Sequence, residues 1–154
     1  MIQPISVRSI VVPLDGSDYA EGALPWAIDM AKKFQAQLVL LRIGLRPELG
    51  SLIDAQAIDG RLDEQKVACT QYLDQVRARL GDSEADISCE YQLGSPSQCI
   101  VERSQQVDCG IVVMTSHGRE GLSRWLIGSV AEKVSRHAHC PVMLVRQPVD
   151  EPSP

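Results

Sequence analysis

Glycines, a histidine and several hydroxyl residues are concentrated in one stretch whose spacing could bind an anion. The stretch is TSHGREGLSRWLIGS, residues 115–129, and it separates the apolar run 110–114 from a helical pattern. Gly118 has no Cβ, so it can adopt a positive φ and expose neighbouring backbone N–H groups. Gly128 and Ser129 open the helix, and the free N–H groups and positive dipole of a helix start attract phosphate. We interpret the stretch as a phosphate-binding loop; a plain turn is the alternative, since the G-x9-G-S spacing of Gly118, Gly128 and Ser129 is weak evidence alone.

An acidic residue supplies the complementary chemistry. Asp15 follows the apolar run 9–14 in the segment PLDGSD. Ligands of open α/β sheets bind beyond the carboxyl ends of the strands, so Asp15 and the glycine-rich stretch face one crevice if the first and fourth strands are neighbours. A carboxylate accepts hydrogen bonds from a ribose hydroxyl or a base amino group, whereas the loop offers donors to phosphate. Together they predict a nucleotide site, although Asp15 before Gly16 is also typical of a plain turn.

No set of residues in the sequence predicts rapid catalysis. His117 has no acid or nucleophile beside it in the same motif, so we assign it to ligand positioning rather than to general-base chemistry. The lysine of a P-loop is absent. His137 and His139 stand at a predicted helix end, where solvation and the helix dipole explain them better than a metal does. The sequence therefore favours a binding protein with at most slow hydrolysis of its ligand, and it predicts no catalytic and no metal-binding residue.

The rest of the chain alternates between short apolar runs and helical patterns. Strands are predicted at 9–14, 37–43, 86–92, 110–114 and 141–146, and helices at 18–35, 62–80, 95–106 and 129–139. Asp18 and Glu21 match a capping box for the first helix. We expect a mobile loop at 44–60, a frayed tail at 147–154, and an edge position for the polar strand at 86–92. The alternation is typical of the α/β class, in which a parallel sheet has helices on both faces.

Composition narrows the class of protein further. A length of 154 residues predicts one domain, 1–154, with its core at 8–146. The net charge of −5 argues against binding to nucleic acid or to anionic membranes. No apolar run reaches the roughly 18 residues of a membrane span, and the first ten residues lack the pattern of a secretory signal. The five cysteines are odd in number and form no C-x-x-C, so we expect buried thiols in a reducing cytoplasm rather than a disulfide framework or a zinc site.

Two long segments resemble the universal stress protein family. They are VVPLDGSDYAEGALPWAIDMAKKFQAQLVLLRI and DCGIVVMTSHGREGLSRWLIGSVAEKVSRHAHCPVMLVR, and the resemblance runs from Arg8 to Arg146. It implies a five-stranded parallel sheet in the order 3-2-1-4-5 with helices on both faces, which is a Rossmann-like adenine-nucleotide-binding fold. In that order the first and fourth strands are neighbours, as the predicted crevice requires.

The resemblance also implies which residues meet the ligand. Family members that bind ATP carry the pattern G-x2-G-x9-G-[ST]; here Thr115 replaces the first glycine, and Gly118, Gly128 and Ser129 complete the pattern. The replacement leaves ATP binding open, because a threonine either points away from the ligand or narrows its pocket. The other implied contacts are Pro13 and Asp15 for the adenosine, Ile43 for the adenine, and Met114, His117 and Val130 for the ribose and phosphates.

For function, the resemblance implies a cytoplasmic homodimer that binds ATP or AMP, with or without Mg²⁺, and acts as a nucleotide-responsive stress regulator. The dimer would form through the last strand, 141–146, because an apolar sheet edge can pair with a copy of itself. No nucleic-acid or membrane partner is expected. Two alternatives remain open: a nucleotide-free dimeric interaction module, which Thr115 favours, and a slow ATP hydrolase that uses His117.

Overall fold

The computed structural model describes residues 6–47, 55–81, 83–106, 108–117 and 127–147. Its strands are β1 Ser9–Leu14, β2 Gln37–Gly44, β3 Ile87–Leu93, β4 Cys109–Thr115 and β5 Val142–Val145. Its helices are α1 Asp18–Glu21, α2 Leu24–Phe34, α3 Ala55–Leu80, α4 Pro96–Ser104 and α5 Ser129–His137. The strands form one parallel sheet in the order β3-β2-β1-β4-β5. The predicted fold class, the strand order and the edge position of the third strand are confirmed.

Two apolar layers cover the sheet, one on each face. Alternate residues of β1 divide between them: Ile10 and Val12 pack with α2 and α3, whereas Val11 packs with α4 and α5. These three side chains are fully buried. Strands enclosed on both faces need apolar side chains in both directions, which explains the unbroken apolar run in the sequence. The core is therefore centred on β1 and its two neighbours.

The start of the first helix differs from its prediction. The hydroxyl of Ser17 accepts the N–H of Ala20 at 3.2 Å, so Ser17 is the N-cap and Asp18 is already helical. The predicted capping box of Asp18 and Glu21 is therefore wrong. The predicted single helix is also wrong, because the chain turns at Gly22 and begins a second helix at Leu24. Serine and aspartate are both strong N-cap residues, and the turn before them selects serine here.

Glu21 is used for tertiary contacts instead of capping. Its carboxylate accepts the hydroxyl of Tyr72 at 3.0 Å and the guanidinium of Arg79 at 2.8 Å, both from α3. Burial raises the pKa of Tyr72, and the hydrogen bond to Glu21 raises it further. These contacts fasten α1, which has four residues, to α3, which has 26.

The third helix begins earlier than its pattern indicates. It starts at Ala55, so the predicted loop 44–60 is too long at both ends, since Gly44 also belongs to β2. Residues 48–54 lie outside the described part of the chain, as do 148–154 of the predicted tail. Gly60 lies inside the helix with no atom within 4 Å of an added Cβ. Gly81 follows the helix with φ +54°, which confirms it as the stop.

A buried arginine joins α4 to the sheet. Arg103 is only 2% exposed, and its guanidinium donates to Glu90 of β3 at 2.9 and 3.2 Å. It also donates to both carboxylate oxygens of Asp108, before β4, at 3.2 and 3.1 Å. Two bidentate pairs compensate the guanidinium for its loss of water. They hold α4 across β3 and the start of β4.

Candidate functional site

The carboxyl ends of β1 and β4 are adjacent in the sheet. The two strands pair directly, with Ile10 beside Ile111 and Val11 beside Val112. Asp15 follows the end of β1, and Thr115 is the last residue of β4. The start of α5 returns to the same place, because the N–H of Gly128 donates to the carbonyl of Ser116 at 2.7 Å. The structure therefore places the ends of β1 and β4 and the start of α5 side by side, which is the arrangement that the predicted crevice needs.

Asp15 is held by the turn that follows it. Its Oδ1 accepts the backbone N–H of Ser17 at 2.9 Å and also the Ser17 hydroxyl. Gly16 has φ +87°, a conformation that requires glycine in this turn. Asp15 therefore stabilises a turn, which is the alternative role that the sequence offered for it. The same geometry fixes a partly exposed carboxylate at the end of β1.

The chain after β4 makes a second compact turn. The hydroxyl of Thr115 donates to the carbonyl of His117 at 2.8 Å, and the N–H of Ser116 donates to the carbonyl of Val145 at 3.1 Å. The Ser116 hydroxyl lies 3.0 Å from Nδ1 of His117. The other ring nitrogen of His117, Nε2, is buried and has no hydrogen-bond partner among the described residues. A buried ring nitrogen of this kind is costly unless something else bonds to it.

The start of α5 presents backbone N–H donors. Gly128 is its N-cap, with φ −59° and ψ 149°, and no side chain among the described residues caps the helix. Within that part of the chain, the N–H groups of the first turn therefore lack the partner that a capping residue gives. Ser129 is exposed, and Val130 is half-buried against the apolar layer shared by α4 and α5. Gly118, Arg119, Arg124 and Trp125 lie outside the described residues.

Apolar residues near these strand ends share one face of the sheet. Ile43 at the end of β2 and Met114 of β4 are buried in the layer that also receives Val130. Pro13 pairs with Leu41 and follows Val11 by two residues, so it belongs to the same face of the sheet. The structure therefore brings Pro13, Ile43, Met114 and Val130 to one face. Thr115 has the alternate parity and belongs to the opposite face.

Arg42 is a residue whose effect the sequence leaves open, although a lone arginine in the run QLVLLRI marks it. Its Nη1 donates to the carbonyl of Leu14 at 3.1 Å, and its guanidinium lies 5.7 Å from the centre of the Tyr72 ring. Its Nε is buried and has no partner among the described residues. Arg42 thereby fixes the last peptide of β1, directly before Asp15.

Two features are absent from the described residues: a cluster of metal-ligating side chains and a membrane-spanning helix. No cluster of three or more His, Cys, Asp or Glu side chains there could hold a metal ion. None of the helices in this part of the chain has the length and apolar character to cross a membrane.

Comparisons with known proteins agree with this geometry. The model of the universal stress protein family matches residues 6–146. The chain belongs to the universal stress protein family. The universal stress protein MJ0531 of Methanocaldococcus jannaschii is 33% identical over 147 residues, which cover 94% of this chain and 85% of that protein.

Solved structures of the family share the fold. UspA from Lactobacillus plantarum has a TM-score of 0.74 at 27% identity, covering 91% of this chain and 98% of that one. A universal stress protein in complex with cAMP has a TM-score of 0.68 at 23% identity, covering 91% and 97%. A family protein from Arabidopsis thaliana with AMP bound has a TM-score of 0.66 at 14% identity, covering 93% and 94%.

Proposed function

We propose that this chain binds an adenine nucleotide, ATP or AMP, at the carboxyl ends of β1 and β4, and that it acts as a nucleotide-responsive stress regulator. The observation that carries the proposal is the start of α5, which no side chain of the described residues caps and which the bond from Gly128 to Ser116 holds at the end of β4. A helix start of this kind binds phosphate through its N–H groups and its dipole.

Each side of the crevice suits a different part of the nucleotide. Pro13 and Ile43 give the adenine an apolar wall, and Asp15 accepts a ribose hydroxyl. Met114 and Val130 lie next to the ribose and the first phosphate in this proposal. Ser129 adds a hydroxyl to the N–H groups of the α5 start. The bare Nε2 of His117 gains a partner in a ligand oxygen or hydroxyl. Gly118 and an optional Mg²⁺ complete the phosphate contacts in this proposal.

Two structural relatives support the ligand class. One is a complex with cAMP and the other has AMP bound, so adenine nucleotides occupy proteins of this fold. For this chain we further propose a single domain, a cytoplasmic location and a homodimer through β5, which is an edge strand. No nucleic-acid or membrane partner is proposed, and the regulator itself is not an efficient enzyme.

A nucleotide-free interaction module is the second candidate, and one observation favours it. The Thr115 hydroxyl is already engaged with the carbonyl of His117. Thr115 therefore rigidifies the turn where ATP-binding relatives have glycine. In this alternative the dimer surface is the functional part of the molecule. Slow ATP hydrolysis through His117 is a third outcome that the same experiments detect.

The decisive experiment identifies what the native protein carries. Native mass spectrometry of freshly purified protein should detect ATP or AMP at close to one molecule per chain. Calorimetric titration of nucleotide-free protein with ATP, AMP and GTP should then show binding of the adenine ligands and much weaker binding of GTP. Protein that purifies empty and releases no heat with either adenine nucleotide would establish the interaction module instead. Steady-state phosphate release in the same samples measures hydrolysis.

A further inference from the structure

Two cysteines touch at the end of the sheet opposite the candidate site. Sγ of Cys109, at the start of β4, lies 3.3 Å from Sγ of Cys140, which stands two residues before β5. The residues are 31 apart in the chain, so the fold brings them together. From this contact we propose that Cys109 and Cys140 are a site of reversible oxidation, at which a peroxide converts the two thiols to an intramolecular disulfide.

The sulfur atoms need little movement to bond. A disulfide places them about 2.05 Å apart, so each sulfur moves by well under about 1 Å from its present position. The backbone around both residues is fixed by hydrogen bonds, and a small rotation of the side chains is enough. The bonds are Cys109 N–H to Gln106 O at 2.9 Å, Val112 N–H to Pro141 O at 3.0 Å, and His139 N–H to the Ser104 hydroxyl at 3.0 Å.

The other three cysteines are placed differently. Cys69 and Cys99 are buried, Cys99 in the apolar layer of α4 and α5, and the thiol of Cys89 donates to the carbonyl of Leu73 at 3.7 Å. Cys109 and Cys140 are only partly buried, so a small oxidant can reach them. The absence of a three-ligand cluster among the described residues separates this pair from a zinc site.

The surroundings of the two cysteines indicate which sulfur reacts with the peroxide first. Burial, followed by the hydrogen bond to Cys140, raises the pKa of Cys109 to about 12, so Cys109 is a neutral thiol at physiological pH. Because burial disfavours the thiolate of Cys109, the proposal assigns the attack on the peroxide to the sulfur of Cys140. The O–O bond breaks, hydroxide leaves and takes up a proton as water, and Cys140 becomes a sulfenic acid.

Cys109 then closes the disulfide. As its proton passes to the departing hydroxide, its sulfur attacks the sulfur of Cys140, the S–O bond breaks, and the S–S bond forms. The Cys109 proton leaves with the hydroxide as a second water. In total, two thiols and one peroxide give one disulfide and two waters, and the two electrons lost by the sulfurs reduce the peroxide. A dithiol reverses the reaction by thiol–disulfide exchange.

Mass spectrometry of peroxide-treated full-length protein tests the site. We expect the intact chain to lose the mass of two hydrogen atoms, a peptide pair linked through Cys109 and Cys140, and full reversal by dithiothreitol. The matched control Cys89→Ser should give the same linked pair. A link from Cys140 to any other cysteine, a link between two copies, or sulfinic acid at Cys140 without a link would each overturn the proposal.

Single variants test the order of the two steps. In Cys109→Ser, Cys140 has no partner, so the sulfenic-acid reagent dimedone should label it. In Cys140→Ser, Cys109 should remain an unlabelled thiol. Dimedone on Cys109 in that variant, or none on Cys140 in the first, would overturn the assignment of Cys140 as the reactive sulfur.

Discussion

The substitution Gly128→Ala tests whether Gly128 is needed for the phosphates to approach α5 or only for folding. Gly128 has φ −59° and ψ 149°, a conformation that any residue adopts, so alanine fits the backbone without strain. Its N–H, which donates to Ser116, is retained. Alanine is a poorer N-cap than glycine by less than about 1 kcal/mol. It also restricts the unfolded chain, which contributes roughly 0.4–1 kcal/mol in the opposite direction. We therefore expect the free energy of unfolding to change by less than about 1 kcal/mol, because these two effects oppose each other.

The effect on nucleotide binding should be larger. If phosphate lies against the start of α5, the added methyl group displaces it and breaks at least one charge-assisted hydrogen bond, worth about 1.5–3 kcal/mol. The dissociation constant for ATP should rise about ten- to a hundredfold. Calorimetric titration measures the affinity, and urea denaturation of the same samples measures the stability.

Gly60→Ala is the matched control for this substitution. Gly60 is inside α3, where an added Cβ meets no atom within 4 Å. Alanine there should raise stability by roughly 0.5–1 kcal/mol and leave ATP affinity unchanged. If folded Gly128→Ala protein binds ATP as tightly as Gly60→Ala does, the phosphates do not approach Gly128 and the placement of the ligand is wrong.

Three further predictions concern catalysis, assembly and the core. His117→Ala should weaken ATP binding modestly and keep any phosphate release within about tenfold of the parent rate; a thousandfold loss of turnover with binding retained would make His117 catalytic. Val142→Lys should give monomers in light scattering, whereas a persistent dimer of folded variant would exclude pairing through β5. Glu90→Gln should lower the free energy of unfolding in urea by about 1–3 kcal/mol because it leaves the buried guanidinium of Arg103 with one carboxylate. Asp74→Asn, which breaks the exposed pair with Arg77, should cost less than about 1 kcal/mol, and equal effects would contradict the importance of burial.

Strands could be predicted from the sequence where burial on both faces of the sheet leaves an unbroken run of apolar residues. The runs that became β1, β2 and β4 are apolar in both directions, and their bounds shifted by two residues or fewer. The order of the strands came from the family resemblance, since alternation predicts a parallel sheet without its order. The early start of α3 was missed because its first turns pack few apolar side chains.

The candidate site was only partly predictable, because local residue types indicate turns but not contacts between distant segments. Asp15, Gly128 and Ser129 lie at chain reversals, where local residue types determine the turn. Ser17 replaced Asp18 as the N-cap because both can cap a helix, and the turn at Gly16 decided between them. Contacts between distant segments carry no local signal. The ion pairs of Arg103 with Glu90 and Asp108 and the contact of Cys109 with Cys140 are of that kind. For the cysteines, the sequence alone favoured inert thiols.

The two proposed sites lie at opposite ends of one strand. Cys109 begins β4 and Thr115 ends it, and six steps of about 3.3 Å separate them by roughly 20 Å. The disulfide would close a loop that contains β4 and α5, and its effect on the unfolded chain corresponds to about 3–4 kcal/mol. A nucleotide acts on the folded state instead, and at a hundred times its dissociation constant it adds about 2.7 kcal/mol. Because one effect concerns the unfolded chain and the other a distant surface of the folded one, the two stabilisations should add, and oxidation should leave nucleotide affinity unchanged. A change in affinity on oxidation would mean instead that β4 shifts as a rigid unit between its two ends.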